Sequence, residues 1–502
     1  MGTMNRTSSQ LASLLAFALI AASGCGSGPA PLPPGSINLV FVVSEDLTYN
    51  TPGDLDVTTA NLTGQGLHRS LLMASYLKKQ VLGGENVNRI FAVPPMTHLQ
   101  NGYPDLASIG GIQQFAMLNQ TTITGVAGSG SPYFTANSAP INVAYRNDAG
   151  VPLQVVSPPG TAPRDVGQPL AQAPCIECQG LVFGDRPGNL IVAERILLTG
   201  APGFFVFSAP WETTSELLAD LAAHTDGGFT APTTYAGANV VYAVSISPAG
   251  AVSLTTYDAP LAPGPGYPAL PAAVGTASCP TPTSRPTALF SFSVDAGDPF
   301  VRVPADINTN QTTYLMRHAE AHPILGWDDG NFVAAGQWRA LAMPGALAGK
   351  INPTKVYSID PAQVAPDYTG LGNANFPYVR PALTIYPYVV ATGLPLNLVY
   401  EWEIYDPRSP GYTVDKFFQG GQFSGERVLL AWEHNHFPPV VQALVDRYYL
   451  DGGTPPVLPS WSGSDYDTIW TVTLDGAGNL TVTNALCEGI DSASLPETAP
   501  AY

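Results

Sequence analysis

A chain of 502 residues, 45% of them apolar, is long enough for two cores of about 200 residues each, and its alternating apolar runs exclude wholesale disorder. Charged residues make up only 12%, against roughly 25% in an average soluble protein, while 50 Gly and 49 Pro imply many turns. The formal charge of −18 argues against nucleic acid and anionic lipid headgroups as partners, since both are held by Lys and Arg. Any phosphate this chain handles must meet a few local arginines.

At the N-terminus Arg6 opens a weakly basic region, "LASLLAFALIAA" is an apolar segment of signal-peptide length, and "ASGC" follows. This resembles a bacterial lipoprotein signal over residues 1–25, with Cys25 as the lipid-bearing residue, although Ala22 stands where Leu is commonest in that motif. A plain cleaved signal peptide is the alternative, and both imply export to the cell envelope. No later run is apolar for long enough to span a bilayer, so the expected membrane contact is a lipid anchor only. "GSGPAPLPPGS", residues 26–36, reads as a Gly/Pro-rich tether.

From residue 37 onward, four segments recur in one order. "TGQGLHRSLLMASYLKK" matches "AAGQWRALAMPGALAGK", and "NRIFAVPPM" matches "TKVYSIDPA". "GFFVFSAPWETTSELLADL" matches "RVLLAWEHNHFPPVVQAL", each an apolar strand, a polar loop and an amphipathic helix. "VVYAVSISPAGAVSLTTYDA" matches "TIWTVTLDGAGNLTVTNA", two β-rich segments around a Gly-containing turn. The recurrence predicts two copies of one α/β unit, at 37–260 and 290–486, in which strands alternate with helices. Between them, 261–289 is too rich in proline for regular helix and reads as a linker. The strip 286–311 fits either unit, and 487–502 is a tail.

After Cys25 four cysteines remain: Cys175 and Cys178 in "CIEC", Cys279, and Cys487. An even count in an exported chain predicts disulfides with the pairing left open. A redox or half-zinc reading of "CIEC" lacks a second CxxC to complete it. His434 and His436 beside Glu433 lack a third ligand at metal-binding spacing, so neither a metal nor another cofactor is expected.

The most chemistry-dense passage is "TTYLMRHAEAHP", where Arg317, His318 and Glu320 follow an apolar run. A loop at the carboxyl end of a strand in an open α/β sheet is where such folds bind ligands. Together with "VYSIDPA", "YVRPALT" and "WEHNH", "LMRHAE" resembles the histidine phosphatase superfamily, the phosphoglycerate mutase-like fold, over most of 312–485. The resemblance implies two tandem α/β/α sandwich domains, with the second hydrolysing a small phosphomonoester through a phosphohistidine. By the same resemblance His318 is the nucleophile, Arg317 and Arg380 clamp the phosphate, and His434 is a further donor to the transferring group. Neutral imidazole and paired guanidinium donors suit that chemistry. A carboxyl group must protonate the leaving alcohol; counting places Glu403 closest, with Glu401 and Asp406 as alternatives. The acid-phosphatase branch puts its donor after the second histidine, where Asn435 stands here and cannot serve. Glu320 is expected to orient the loop, and His322 and His436 to be structural or exposed.

The first copy reads as degenerate. Aligned by eye, Ser44 and Glu45 stand opposite Arg317 and His318, Leu47 opposite Glu320, and Trp211 opposite His434, and no arginine occurs between 97 and 130. Such a unit keeps the scaffold without the phosphate chemistry. The competing expectation for the whole chain is a noncatalytic surface lipoprotein that binds phosphate or a partner.

Overall fold

The computed structural model describes residues 28–97, 101–122, 136–144, 180–279, 286–295, 297–321, 330–362, 364–365, 376–399, 402 and 409–502. The first half contains β1 (Ile37–Val43), α1 (Gly64–Tyr76), β2 (Arg89–Ala92), α2 (Ala107–Leu118), β3 (Ile141–Val143), α3 (Arg186–Thr199), β4 (Gly203–Ala209), α4 (Trp211–His224), β5 (Val240–Ile246) and β6 (Val252–Asp258). Its sheet runs β6-β5-β1-β4-β2-β3. The four strands from β1 to β3 in that order are parallel, and the β5–β6 hairpin is antiparallel at one edge.

The second half contains β7 (Ser291–Ser293), β8 (Gln311–Arg317), α5 (Ala334–Leu347), β9 (Lys355–Ile359), α6 (Arg380–Thr392), β10 (Leu396–Val399), α7 (Ser409–Phe418), β11 (Arg427–Trp432), α8 (Phe437–Asp446), β12 (Thr468–Leu474) and β13 (Leu480–Cys487). Its sheet runs β7-β13-β12-β8-β11-β9-β10, the order and strand directions of the first with β7 added at one edge. The chain is thus an α/β protein with two mixed sheets of matching order.

Side-chain alternation along the central strands decides what covers each face. In β1, Leu39, Phe41 and Val43 pack with residues of α3 and α4, while Val40 and Val42 face the core shared with α1 and α2. In β8, Leu315 packs toward α7 and α8, and Tyr314 and Met316 toward α5 and α6. Helices α1 and α2 then pack against α5 and α6, so the two halves share buried clusters. At that junction the amides of Gln113 and Asn331 exchange hydrogen bonds of 3.0 and 2.9 Å, and the Leu62 amide donates to the Tyr386 hydroxyl at 3.0 Å. A Cβ at Gly110 would stand 2.4 Å from the Tyr386 ring, so this close approach requires glycine.

Cys279 and Cys487 form a disulfide with Cα atoms 5.5 Å apart, tying the proline-rich segment to the end of β13. Cys25, Cys175 and Cys178 lie outside the described residues. Among those described, no helix is long and apolar enough to cross a membrane.

Backbone register corrects the sequence alignment of the two halves. The His318 amide donates to the Trp432 carbonyl at 2.9 Å, and in the first half it is the Ser44 amide that donates to the Ala209 carbonyl, also at 2.9 Å. Ser44 therefore occupies the position of His318, Val43 that of Arg317, and Glu45 that of Ala319, one residue away from the pairing read by eye. Trp211, two residues past Ala209, keeps the place of His434, two past Trp432. Leu47 is likewise not the counterpart of Glu320. The Thr63 amide donates to Asp54 O at 2.8 Å just as the Val333 amide donates to Glu320 O at 2.9 Å. Three residues into each helix Gly66 and Gly336 lie against those carbonyls, and Arg69 and Arg339 reach the carboxylates of Asp54 and Glu320. The longer loop of the first half, 44–54 against 318–320, conceals this match in the sequence.

Candidate functional site

The parallel strands β8 and β11 end side by side, which brings the residues after Met316 next to those after Ala431. Arg317 Nη1 donates to the carbonyls of Gly463 (2.6 Å) and Asp465 (3.2 Å), and its guanidinium lies 3.8 Å over the Tyr466 ring. This last residue of β8 is thereby held by the loop before β12. His318 is 3% exposed, and its Nδ1 lies 2.7 Å from the Ala319 carbonyl oxygen. A carbonyl only accepts, so Nδ1 carries the hydrogen and Nε2 keeps its lone pair.

Helix α6 is tied to the same loop. The Ala319 amide donates to Thr384 Oγ1 at 2.8 Å, and that hydroxyl donates to the Arg380 carbonyl at 2.8 Å. The Arg380 amide donates to Gly330 O at 2.9 Å, and the Arg380 guanidinium stands 4.9 Å over the Tyr378 ring. The Tyr378 hydroxyl makes a short hydrogen bond to Glu433 Oε1, and Glu433 Oε2 pairs with His436 Nδ1 at 3.0 Å. His436 also stacks on Trp432, with ring centroids 4.2 Å apart. A Cβ at Gly463 would stand 3.5 Å from His434 Nε2, so His434 and the carbonyl partner of Arg317 share one wall.

Charges in this pocket fix protonation states. Burial, then Arg380, then Arg317 hold His318 well below its ordinary value, so its imidazole is neutral. Burial and then Arg317 bring His434 down to about 3. Burial alone would raise Glu433, but the hydrogen bond and charge of His436, together with His318 and Tyr378, hold it well below the carboxylate range. Glu433 is an ionised, fully engaged carboxylate and not a proton donor.

The structure thus brings together Arg317, His318, Arg380 and His434. Glu320 is fully buried and turned onto Arg339 Nε (2.8 Å) and Ser492 Oγ (2.7 Å), a loop-orienting placement. Glu403, Glu401, Asp406 and His322 lie outside the described residues. Sequence reasoning assigned no role to Tyr378 and Glu433, although "YVR" and "WEH" set them beside Arg380 and His434. Tyr466 and the Gly463 and Asp465 carbonyls carry no local sequence signal; only the loop before β12 delivers them.

Among the described residues, the same place in the first half holds none of this chemistry. Ser44 Oγ hydrogen-bonds Ser108 Oγ at 2.8 Å, and Ala107 takes the first helical position that Arg380 has in α6.

No family model and no curated protein matches the chain. Among solved structures, one that matches is the "putative phosphohistidine phosphatase SixA" of Agrobacterium tumefaciens, at 19% identity and a TM-score of 0.19, covering 32% of this chain and 90% of that one. At that score the likeness carries no argument about this chain.

Proposed function

We propose that the chain is an exported phosphomonoester hydrolase acting through a phosphohistidine in its second half. One observation carries the reading: His318 has Nδ1 locked on a carbonyl and Nε2 free among the described residues, in a buried pocket with two guanidiniums and a second neutral imidazole. In the proposed reaction Nε2 attacks phosphorus, the P–O bond to the alcohol breaks, and the leaving oxygen takes a proton from a carboxylic acid, Glu403 first among Glu401 and Asp406. Water then attacks the phosphohistidine, releases phosphate and returns Nε2. Arg317 and Arg380 neutralise the phosphoryl oxygens, whose charge peaks in transfer. His434 donates a hydrogen bond if Nε2 carries its hydrogen. The disulfide between Cys279 and Cys487 supports an oxidising compartment, as do the signal-like residues 1–25 with Cys25 as anchor. The matching strand orders support a duplicated phosphoglycerate mutase-like unit whose first copy is degenerate.

The test is p-nitrophenyl phosphate hydrolysis by the chain lacking residues 1–25, from acidic to neutral pH, beside His318→Ala. Expected are activity in the parent, none in the variant, and an acid-labile, base-stable label from 32P-substrate on the parent alone. A second reading, a phosphate- or partner-binding module, is favoured by one fact: of the described carboxylates beside His318, Glu433 is held by Tyr378 and His436, and Glu320 pairs through Oε1 with Arg339. A folded parent that binds phosphate but releases no p-nitrophenol decides for that reading.

A further inference from the structure

The two halves hold each other crosswise. Thr63 and Val333 occupy matching places at the starts of α1 and α5, so Asn61 and Leu62 correspond to Asn331 and Phe332. Gln113 and Tyr386 are each the seventh residue of their helices, α2 and α6. The Leu62 amide of the first half donates to Tyr386 of the second, and Asn331 of the second half exchanges two hydrogen bonds with Gln113 of the first. Each half thus grips the other's loop from the same helical position.

The contact through Gln113 leads into the candidate site. Asn331 follows Gly330, whose carbonyl accepts the Arg380 amide at 2.9 Å, and precedes Val333, whose amide donates to the Glu320 carbonyl at 2.9 Å. Segment 330–333 therefore ties the first turn of α6 to the loop after His318, and the Asn331 side chain is where the first half takes hold of it. Asn331 is 0% exposed and Gln113 4%, while Ala319, Phe332 and Val379 pack in one buried cluster with Ile109 and Ile112 of α2. A buried amide that loses its partner is costly, so the pair holds the segment in one place.

We propose that Gln113 is a positioning residue for the site in the second half: by fixing Asn331 it fixes the carbonyl that holds the start of α6, and with it Arg380. This rests on the reading of that site as one that takes a phosphate group. The first half then serves the chemistry as a buttress, without a site of its own.

The experiment is p-nitrophenyl phosphate kinetics together with calorimetric titration by inorganic phosphate, both on the full chain. Gln113→Met fills the volume without the amide and should lower kcat/KM roughly tenfold or more through misplacement of Arg380, with phosphate binding weakened in parallel. In an Arg380→Ala background the same substitution should change kcat/KM less than about twofold, because the group it positions is gone. Arg69→Met, which disturbs the first half elsewhere, should leave kcat/KM unchanged. Gln113→Asn, one methylene shorter, takes the amide out of reach but keeps its polarity; it should lose in the same direction and decides the matter if the methionine variant does not fold. Parent-like kcat/KM and phosphate affinity in a folded Gln113 variant, or an equal loss with and without Arg380, overturns the proposal. A parent that binds phosphate but hydrolyses nothing overturns the phosphatase reading alone, and Gln113 is then judged by phosphate affinity. A parent that does neither overturns both.

Discussion

The carboxyl ends of β1 and β8 have the same backbone register and opposite chemistry. Both amides after the strand donate to the neighbouring parallel strand, and both loops return to an acid–arginine pair, Asp54 with Arg69 and Glu320 with Arg339. Yet Arg317, His318, Arg380 and His434 in one half stand where Val43, Ser44, Ala107 and Trp211 stand in the other. The scaffold rests on main-chain hydrogen bonds and alternating apolar faces, which survive replacement of four side chains; the chemistry proposed for the second half rests on those four. The acid–arginine pair, present in both, belongs to the architecture of the loop.

The sharpest way to break this contrast is at the paired positions His318 and Ser44. His318→Ala should lower phosphate ester hydrolysis roughly 10³-fold or more, while Ser44→Ala leaves the rate unchanged; equal losses would erase the distinction. Next, Arg339→Met leaves Glu320 and Glu488 buried without their cation and should cost about 3–5 kcal/mol in urea unfolding. Arg69→Met should cost less, because that side chain is 11% exposed whereas Arg339 is 0% exposed. A reversed order would show that the two pairs are not equivalent. Arg380→Ala should lower kcat/KM about 10²-fold through loss of transition-state charge neutralisation, with Arg317→Lys also deficient because an ammonium lacks the fork.

The smallest effect is in pH dependence, where His434 and Glu45 have opposite signs. His434, lowered from 6.5 to about 3, stays neutral in the fold and charges in the unfolded chain. Its contribution is present above pH 6.5 and is lost as pH falls toward 3. Glu45, raised from 4.5 to about 8, keeps its proton in the fold after the unfolded chain has lost it. Its contribution is present below pH 4.5 and is lost as pH rises toward 8. Between pH 6.5 and 8 only the second kind operates, so stability should decline there, and Glu45→Gln should make the decline shallower. Glu488, also pushed up to about 8 by burial, keeps part of the slope in that variant. Chemical denaturation at several pH values reads this directly.

Much of the site was legible because strand, loop and helix leave local marks. An apolar run followed by Arg317 and His318, and another followed by Glu433 and His434, place their polar residues at strand ends. The slip of one residue between Ser44 and Glu45 has a physical origin: polarity matches Ser44 with Arg317, whereas the interstrand hydrogen bonds set apolar Val43 at that position and Ser44 at that of His318. Asp54 was invisible as the partner of Arg69 because a longer loop separates it from β1. Tyr378 and Glu433 were visible as letters, but their hydrogen bond joins the start of α6 to the end of β11, a contact no local pattern encodes.

The sequence by itself determined the alternation of strands and helices, the recurrence of four segments, and which half carries arginine and histidine in dense order, since these depend on neighbours along the chain. Only the tertiary structure decided that Ser44 stands at the position of His318, that Asp54 and Glu320 do the same work, and that Glu45 is buried beside Asp54. Register, burial and charge pairing are set by residues far apart in the chain, and each is decided only when strands pair and helices pack.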